Sequence, residues 1–354
     1  EQVRARLAKA ERPLLVLGGS GWTEDAAAAI GDWAERIGLP VSLSFRRKDI
    51  LSNARPNYAG DLGLGCNPKL TARAKAADLI IAIGARLGEN PTQGYTLFDR
   101  ARTADTLIHI HPGAEELGRV WTPLMSATAD NSLAALALST IDPGRTWHDQ
   151  AAAAHADYQA FSTPVPVTGA VNMSECMAHL HDSLPPTAIV TNGAGNFAAW
   201  LHRFYRHRAC RTQLAPTSGA MGYGYPAALA AKSVHPDREV ICIAGDGDYL
   251  MTGQEIATAV QYGINVVVVV VDNGTYGTIR MHQETHYPGA ARTMATDLVN
   301  PDFVRYAEAF GAFGIRCETT ADFPAALLAA RNAGRPALVH LITSAGDIAP
   351  NRPS

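Results

Sequence analysis

Residues 245–277, GDGDYLMTGQEIATAVQYGINVVVVVVDNGTYG, join the ends of two apolar runs that read as buried strands. The first run, EVICIA, stops at Gly-Asp-Gly, and the second, INVVVVVV, stops at Asp-Asn-Gly, with one helical stretch between them. In an open parallel sheet, ligands bind beyond the carboxyl ends of the strands. Asp246 and Asn273 occupy such ends on two strands joined by a single crossover. We therefore expect their side-chain oxygens to converge.

A carboxylate, an amide oxygen and a loop carbonyl that leave room for phosphate oxygens form a usual protein site for Mg²⁺. The flanking glycines let the backbone approach an anion, and the helix that begins near Thr252 can donate its amide groups to it. The stretch therefore predicts a site for a metal ion and a diphosphate. The alternative is that Asp246 and Asn273 only cap turns, which a Gly-Asp-Gly taken alone would favour.

The composition of the 354 residues indicates a globular protein with two domains. Apolar residues make up 47% and charged residues 18%, which suits large buried cores. The net charge of −3, with no basic block, gives no indication of a nucleic-acid or membrane surface. The longest apolar run, residues 264–271, is too short to span a bilayer. The five cysteines are scattered and never spaced C-x-x-C, which favours reduced thiols and a cytoplasmic location.

Strand-like and helix-like segments alternate over most of the chain, which predicts two α/β domains with doubly wound, mainly parallel sheets. We assign a Rossmann-like first domain to residues 1–140, a linker to 141–168, a diphosphate-binding domain to 169–345 and a C-terminal tail to 346–354. The predicted strands are 13–18, 40–44, 78–84, 106–111, 187–191, 239–244, 265–271 and 336–342. The predicted helices include 23–38, 67–77, 172–183, 252–262, 300–311 and 320–334.

The spacing of the two glycine-bracketed ends matches a known motif. Twenty-four residues, 248–271, lie between the Gly-Asp-Gly and Asp272. The segment resembles the thiamine diphosphate enzymes, whose motif is GDG, a spacer of this length and NN, and it looks like their acetolactate synthase-like branch. Residues 1–140 also resemble the middle domain of that family. The resemblance implies that Mg²⁺ is ligated by the side chains of Asp246 and Asn273 and the backbone carbonyl of Thr275, and that the cofactor is contacted by Gly245, Gly247, Asp248, Tyr276 and Gly277.

One residue departs from the family motif. The first Asn of the pair is Asp272 in this chain, while the second is retained as Asn273. A carboxylate accepts hydrogen bonds but cannot donate them, and it adds negative charge near an anionic diphosphate. We expect Asp272 to turn back into its loop as an Asx residue. Metal affinity is the property that this departure puts in question.

Two further segments carry the resemblance. TSGAMGYGYPAALAAK (217–232) is similar to the family's GxMGxGLPAA segment. This similarity implies that the backbone of Gly219 and Met221 holds the aminopyrimidine ring, and that the Met221 side chain lies between the two rings of the cofactor. TNGAGNFAAW (191–200) implies a second phosphate-contacting turn at Gly195 and Asn196. Without the neighbouring motif, Met221 would be interpreted as a core methionine, and a lone Gly-x-Gly is a weak signal.

The resemblance further implies that chemistry begins at a glutamate of an N-terminal pyrimidine-binding domain. The chain starts where the middle domain starts, so we expect no catalytic residue in it. Glu255 and Glu284 are not substitutes, and we expect Glu255 to make a structural hydrogen bond. The sequence thus predicts a fragment that is inactive, or nearly so, by itself. The missing domain would come from the full-length or a partner chain, and the whole enzyme would be a homodimer or tetramer.

Two other ligands, FAD and zinc, are considered from separate motifs. Some relatives bind FAD in the middle domain, but Arg86 in GARLGENPT is followed by Leu-Gly-Glu, which departs from their pattern and favours an ion pair over FAD. The histidine pairs 109/111, 179/181 and 282/286 lack an evident third ligand, which disfavours zinc.

Ile279 and His282 share one helix face. The resemblance implies that this face borders the substrate pocket. The branch often carries Trp where this chain has His282, so His282 suggests a more polar substrate than two pyruvates. The alternative is that this helix face is solvated.

The favoured function is that of a thiamine diphosphate- and Mg²⁺-dependent 2-keto acid decarboxylase/carboligase acting on a small 2-keto acid or aldehyde. A decarboxylase or an aldehyde lyase on the same scaffold is an alternative within the class. A non-catalytic cofactor-binding subunit is the alternative from a different class. The sequence identifies neither the acyl donor nor the acceptor.

Overall fold

A computed structural model describes residues 1–287 and 293–350 and divides the chain into two compact units. The first unit comprises residues 1–162 and 207–211, and the second comprises 163–206 and the chain from 212 onward. Each unit contains a six-stranded sheet whose strands pair in parallel. The prediction of two doubly wound α/β folds is confirmed. Within the described residues, no helix is long and apolar enough to cross a bilayer.

The first unit is built from six strands and six helices of more than one turn. The strands are β1 (Pro13–Leu17), β2 (Val41–Ser44), β3 (Tyr58–Leu62), β4 (Leu79–Ile83), β5 (Leu107–His111) and β6 (Met125–Thr128). The helices are α1 (Gln2–Leu7), α2 (Glu24–Arg36), α3 (Pro68–Ala76), α4 (Arg100–Thr106), α5 (Asn131–Leu138) and α6 (His148–Phe161). The sheet order is β3-β2-β1-β4-β5-β6.

The strand β1 shows why the inner strands read as apolar runs. Leu15 and Leu17 belong to one buried cluster, and Leu14 and Val16 belong to another on the opposite face of the sheet. Because helices cover both faces of a parallel sheet, each residue of an inner strand is buried. The start of α2 is also as the sequence predicts, because the Thr23 side chain accepts a hydrogen bond from the Ala26 amide and caps the helix.

The described residues of the second unit also form six strands, and their helices include one short turn. The strands are β7 (Ile189–Asn192), β8 (Gln213–Leu214), β9 (Val240–Gly245), β10 (Val267–Asp272), β11 (Phe313–Cys317) and β12 (Ala337–Ile342). The helices are α7 (Met173–Ser183), α8 (Phe197–Phe204), α9 (Gly224–Val234), α10 (Asp246–Tyr249), α11 (Ile256–Tyr262), α12 (Gly277–His286), α13 (Phe303–Ala309) and α14 (Phe323–Arg331). The sheet order is β11-β12-β10-β9-β7-β8.

The strands that the sequence did not predict are those at the sheet edges: β3, β6, β8 and β11. An edge strand has one hydrogen-bonded neighbour and need not be apolar on both faces. Three of the four residues of β6 are exposed, and β3 carries Gly60 and Asp61. Such segments lack the continuous apolar run that marks an inner strand.

The segment between the two predicted domains also differs from the prediction. Residues 141–168 were expected to be a linker, yet they contain α6, and the first unit extends to residue 162. The ring of Tyr158 on this helix packs edge-on against Tyr58 of β3, with ring centroids 4.7 Å apart. The segment is alanine-rich and has only a weak helical periodicity, so the sequence does not indicate the helix, which tertiary packing stabilises. The structure describes the predicted C-terminal tail, residues 346–354, only as far as residue 350.

Candidate metal centre

The second sheet reverses its winding between β7 and β9, and a cavity of about 240 Å³ lies beyond the carboxyl ends of β7, β9 and β10. Such a reversal is where open α/β sheets bind ligands. All but one of the predicted site residues line this cavity, namely Gly195, Asn196, Gly219, Met221, Gly245, Asp246, Gly247, Asp248, Asn273, Thr275, Tyr276, Gly277 and Ile279. His282 is not among the lining residues. It is exposed on α12, where its ring stacks on that of His286 at 5.9 Å.

Asp246 follows β9 directly and joins it to the loop after β10. Its Oδ1 accepts a hydrogen bond from the Gly247 amide at 2.8 Å, and its Oδ2 accepts one from the Gly274 amide at 2.9 Å. Gly274 has a φ of 65°, a left-handed conformation that favours glycine. In the same loop, Asn273 Oδ1 accepts from the Thr275 amide at 3.2 Å. The loop geometry thus brings the carboxylate and the amide oxygen to one cavity.

A neighbouring segment fixes this loop from outside. Thr275 Oγ1 and the Tyr276 amide both donate to the Thr296 carbonyl at 2.8 Å, and the Leu298 amide donates to the Gly274 carbonyl at 2.8 Å. These bonds form a short antiparallel pairing outside the main sheet. The loop after β10 is therefore held by defined backbone partners as well as by its own turn.

Asp248, in the segment after β9, is hydrogen-bonded to two other loops beside the cavity. The side chain is buried, and its Oδ1 accepts hydrogen bonds from the Ala194 amide at 3.1 Å and the Gly222 amide at 2.8 Å. A Cβ atom at Gly193 would lie 2.0 Å from the Asp248 oxygens. The loops after β7 and before α9 therefore close on this carboxylate because glycines leave room for it. The sequence analysis did not anticipate this structural role.

Asp272 makes the Asx turn that the sequence predicts, and it makes two further contacts. Its Oδ1 accepts from the Gly274 amide at 3.0 Å and from Asn300 Nδ2 at 2.7 Å, while its Oδ2 lies 2.8 Å from His340 Nε2. Asn300 Nδ2 also donates to Asp246 Oδ2 at 2.8 Å. Asn300 and His340 were not predicted as site residues. The histidine within the apolar run PALVHLI was the one available signal.

The two neighbouring carboxylates differ in their electrostatics. Burial raises the pKa of Asp246 to about 6, with the Asp272 charge adding to the effect and hydrogen bonds from Asn300 and Gly247 opposing it. Burial also acts to raise the pKa of Asp272, but the hydrogen bonds from His340, Asn300 and the Gly274 amide outweigh it and hold that pKa below its ordinary value. Of the pair, Asp272 is the one that its hydrogen bonds stabilise as a carboxylate, and Asp246 is the one whose hydrogen bonds do not offset its burial.

Apolar side chains that the sequence did not identify form much of the remaining wall. They are Met173, Phe197, Trp200, Val271 and Ile348. Together with Met221 and Ile279 they give the cavity an apolar part of its wall. Apolar spacing in a sequence marks such residues as core, so no sequence signal separates them from ordinary buried side chains.

The segment after β12 also contributes to the site. Asp347, which the sequence placed in a tail, lines the cavity, and its carboxylate accepts hydrogen bonds from the Thr168 amide, the Thr168 hydroxyl and the Gly169 amide at 2.8–2.9 Å. The next residue, Ile348, is buried, with 8% of its surface exposed. These contacts anchor residues 347–348 to the second unit.

Other residues weighed in the sequence have structural partners. Arg86 forms an ion pair with Glu116 at 2.9 Å, the outcome favoured over FAD contact. Glu255 Oε2 accepts from the Thr258 hydroxyl at 2.7 Å, as expected of a structural residue. Glu284 pairs with Arg280 on the same helix. Within residues 1–287 and 293–350, no group of three or more His, Cys, Asp or Glu side chains could hold a metal ion, and the predicted set of one carboxylate, one amide and one carbonyl is not such a group.

Both units match domains of one known protein family. Residues 1–138 match the central domain of thiamine pyrophosphate enzymes, and residues 193–341 match their C-terminal TPP binding domain. The second range contains the loops after β7, β9 and β10 that surround the cavity.

Individual relatives cover nearly the whole chain. It is 32% identical over 316 residues to an acetolactate synthase large subunit of Parasynechococcus marenigrum (strain WH8102), covering 87% of this chain and 50% of the relative. It is 26% identical over 344 residues to the acetolactate synthase isozyme 2 large subunit of Escherichia coli (strain K12), covering 96% and 61%. It is 27% identical over 362 residues to a probable acetolactate synthase large subunit of Methanocaldococcus jannaschii, covering 98% and 60%. The chain spans about half the length of the curated relatives it matches.

Proposed function

The chain belongs to the thiamine pyrophosphate-dependent enzymes, in their acetolactate synthase-like branch, and from this premise we propose that it binds thiamine diphosphate through Mg²⁺ and serves 2-keto acid decarboxylation and carboligation. One observation carries the proposal. Asp246, Asn273 and Thr275, from the ends of two adjacent strands, line one cavity at the winding reversal of the second sheet.

The charges of the cavity support a metal-bridged anion. Its lining, as far as residues 1–287 and 293–350 form it, includes the three carboxylates Asp246, Asp248 and Asp347 and contains no lysine, arginine or histidine. A diphosphate placed there would be repelled unless a cation lay between it and a carboxylate. Mg²⁺ is commonly held by one or two carboxylates together with phosphate oxygens. The donor set therefore fits the proposed metal and diphosphate.

The glycines of the lining support close approach of the cofactor. Gly219 has a φ of 76°, and a Cβ atom there would meet no atom within 4 Å, so its backbone faces open space. Met221 is 37% exposed in the same loop. We infer that this loop contacts the aminopyrimidine end, while the backbone of Gly247 and Gly277, which line the cavity beside the metal ligands, contacts the diphosphate.

Thiamine diphosphate, when bound, supplies an electron sink for breaking and forming bonds next to a carbonyl carbon. The chain's own residues hold and orient it. Asp246, Asn273 and Thr275 would hold the metal, and apolar lining residues such as Trp200 and Ile279 would contact the apolar parts of the cofactor. Ile279 borders the proposed substrate region. His282, exposed one turn further along α12, is proposed to reach it only in the complete assembly.

We infer that the glutamate that activates the cofactor comes from outside the described residues. Among the described residues that line the cavity there is no glutamate, and Glu255 and Glu284 are engaged by Thr258 and Arg280. A pyrimidine-binding domain of a longer polypeptide or of a partner chain would supply it, in a homodimer or tetramer. A decarboxylase or an aldehyde lyase on the same scaffold, and a non-catalytic cofactor-binding subunit, are the alternatives.

Equilibrium titration tests the binding proposal. Trp200 lines the cavity and is the one tryptophan of the second unit, so its fluorescence should change saturably when thiamine diphosphate is added with Mg²⁺. Chelation of Mg²⁺ should reverse the change. Absence of binding, or equal binding without a divalent metal, would contradict the proposal.

An activity assay separates the alternatives. We expect the chain alone, loaded with cofactor and Mg²⁺, to consume pyruvate or an aldehyde at a rate close to background. Addition of a pyrimidine-binding domain from a relative should raise the rate if the chain is catalytic. Robust turnover by the chain alone would overturn the inference about the external glutamate.

A further inference from the structure

Two carboxylates at the metal centre share the same hydrogen-bond donors. Asn300 Nδ2 donates to Asp246 Oδ2 at 2.8 Å and to Asp272 Oδ1 at 2.7 Å. The Gly274 amide lies 2.9 Å from Asp246 Oδ2 and 3.0 Å from Asp272 Oδ1. Carboxylates only accept hydrogen bonds, so the Asn300 amide presents its NH₂ group to both. These shared donors offset the repulsion between two like charges.

The second oxygen of Asp272 turns away from the cavity, toward a buried imidazole. His340 is 3% exposed, lies with its Nε2 2.8 Å from Asp272 Oδ2, and packs edge-on against Phe303 with ring centroids 5.1 Å apart. Because Asp272 is the acceptor, Nε2 carries the proton. The parallel register of β12 with β10 sets the position of the ring, since His340 pairs with Val270. Asp272 itself is not among the residues that line the cavity.

We propose that Asn300 and His340 are positioning residues of this metal centre. They hold Asp272 turned back from the cavity. Asp272 in turn fixes the Gly274 amide, and the Gly274 amide, together with Asn300, orients the Asp246 carboxylate. The inference rests on the proposed function, because it concerns how Asp246 meets Mg²⁺. Loss of groups that orient a metal ligand lowers metal affinity by roughly 10–100-fold.

The consequence of losing the imidazole follows from the partial burial of Asp272, whose side chain is 13% exposed. His340 Nε2 is the partner that the structure gives to Asp272 Oδ2. Without it, this partly buried carboxylate oxygen would lose its protein donor, which is costly. Rotation of Asp272 toward another donor would disturb the Gly274 amide and Asn300, both of which also hold Asp246.

Two substitutions of similar size distinguish hydrogen bonding from packing. His340→Met and His340→Gln both place an unbranched side chain beside Phe303, but only Gln retains a donor. The measurement is the Mg²⁺ concentration that gives half-maximal binding of thiamine diphosphate to the whole chain, read from tryptophan fluorescence. We expect His340→Met to raise this concentration roughly 10–100-fold and His340→Gln to raise it about threefold or less. No change in His340→Met, or equal losses in both variants, would overturn the positioning role.

The variant Asp272→Asn provides the second arm. A neutral amide at residue 272 does not need the imidazole donor, so His340→Met should add less than about a threefold loss in the Asp272→Asn background. A loss as large as in the wild-type background would overturn the proposal. If His340→Met alone does not fold, the double variant should still fold and bind, since it buries no unpaired carboxylate. A double variant that fails to fold or to bind would also overturn it.

Cofactor binding by the wild-type chain separates failure of the proposed function from failure of the positioning role. A wild-type chain that does not bind thiamine diphosphate with Mg²⁺ refutes the proposed function before any variant is compared. A wild-type chain that binds, with His340→Met binding equally well, refutes only the positioning role of His340.

Discussion

The two sheets have the same parallel architecture, yet their carboxyl edges differ at the winding reversal. In the first unit the reversal lies between β1 and β4, and Gly18, Gly84 and Asn131 pack closely beside it. A Cβ atom at Gly19 would lie 2.3 Å from the Gly84 carbonyl oxygen, and one at Gly84 would lie 2.4 Å from both Gly18 O and Asn131 Nδ2. In the second unit the reversal between β7 and β9 opens into the cavity of about 240 Å³.

Glycines lie at both edges, but their surroundings are not all the same. In the first unit they let two loops and the Asn131 side chain close on each other, and a dinucleotide phosphate at that crevice would have to displace these atoms. In the second unit, Gly219 faces open space, whereas Gly193 and Gly247 pack against the side chains of Asp248 and Tyr276. The comparison shows that the fold sets where a ligand can bind, while the residues that follow each strand decide whether one fits.

The largest expected effect tests the closed edge. Gly84→Ala should destabilise the protein by about 4 kcal/mol, because a left-handed backbone conformation and a collision with Gly18 O and Asn131 act together. The matched change at the open edge, Gly219→Ala, also has a left-handed φ but meets no atom within 4 Å, so it should cost about 1–2 kcal/mol. Urea unfolding of both variants checks the difference. Equal losses would contradict the contrast between a filled and an open edge.

The next effect concerns the open edge as a metal site. Asp246→Asn should weaken Mg²⁺-dependent binding of thiamine diphosphate by roughly 100-fold, because the site loses the charge of its carboxylate ligand. Asp130→Asn is the matched control at the edge of the first unit, where Asp130 caps α5 and Asn is an equally good cap. Calorimetric titration measures both. Binding by Asp246→Asn at wild-type strength would break the assignment.

A smaller effect concerns the loops that keep the second edge open. Asp248→Ala removes the acceptor for the Ala194 and Gly222 amides and should cost about 2 kcal/mol in unfolding free energy. Asp248→Asn retains an oxygen for both amides and should cost about half as much or less. Thermal and urea unfolding measure the two values. A neutral Asp248→Ala would show that other contacts hold these loops.

The smallest effect is a pH dependence at the closed edge. His109 is buried and donates from Nε2 to the carbonyl of Ala85, the residue after Gly84. Burial lowers the pKa of His109 below its ordinary value, so the unfolded chain binds a proton that the folded chain resists. Stability should therefore fall as the pH drops below about 6.5, by at most about 1.4 kcal/mol per pH unit for this one group.

His109→Gln isolates this contribution, because Gln can donate to the same carbonyl without titrating. Between about pH 7.5 and pH 5.5, the urea midpoint of His109→Gln should fall less than that of the wild type. Parallel shifts in the two proteins would mean that other groups account for the acid sensitivity.

The sequence by itself determined the inner strands and the loops that follow them. Runs such as VICIA and VVVVV are apolar because both faces of a parallel sheet are covered, and the glycine-bracketed Asp246 and Asn273 follow directly from where those runs stop. Local chemistry also sufficed for the Thr23 cap and the Asx turn at Asp272. These features depend on residues near one another in the chain.

Only the tertiary structure decided the rest. The edge strands β3, β6, β8 and β11, the helix α6, and the contacts of Asn300, His340 and Asp347 with the site join segments that are distant in sequence. A polar residue such as His340 within an apolar strand signals that some partner exists, but it does not identify Asp272 as that partner. Hydrogen bonds between distant segments depend on strand order and register, which the spacing of residues along one chain does not fix.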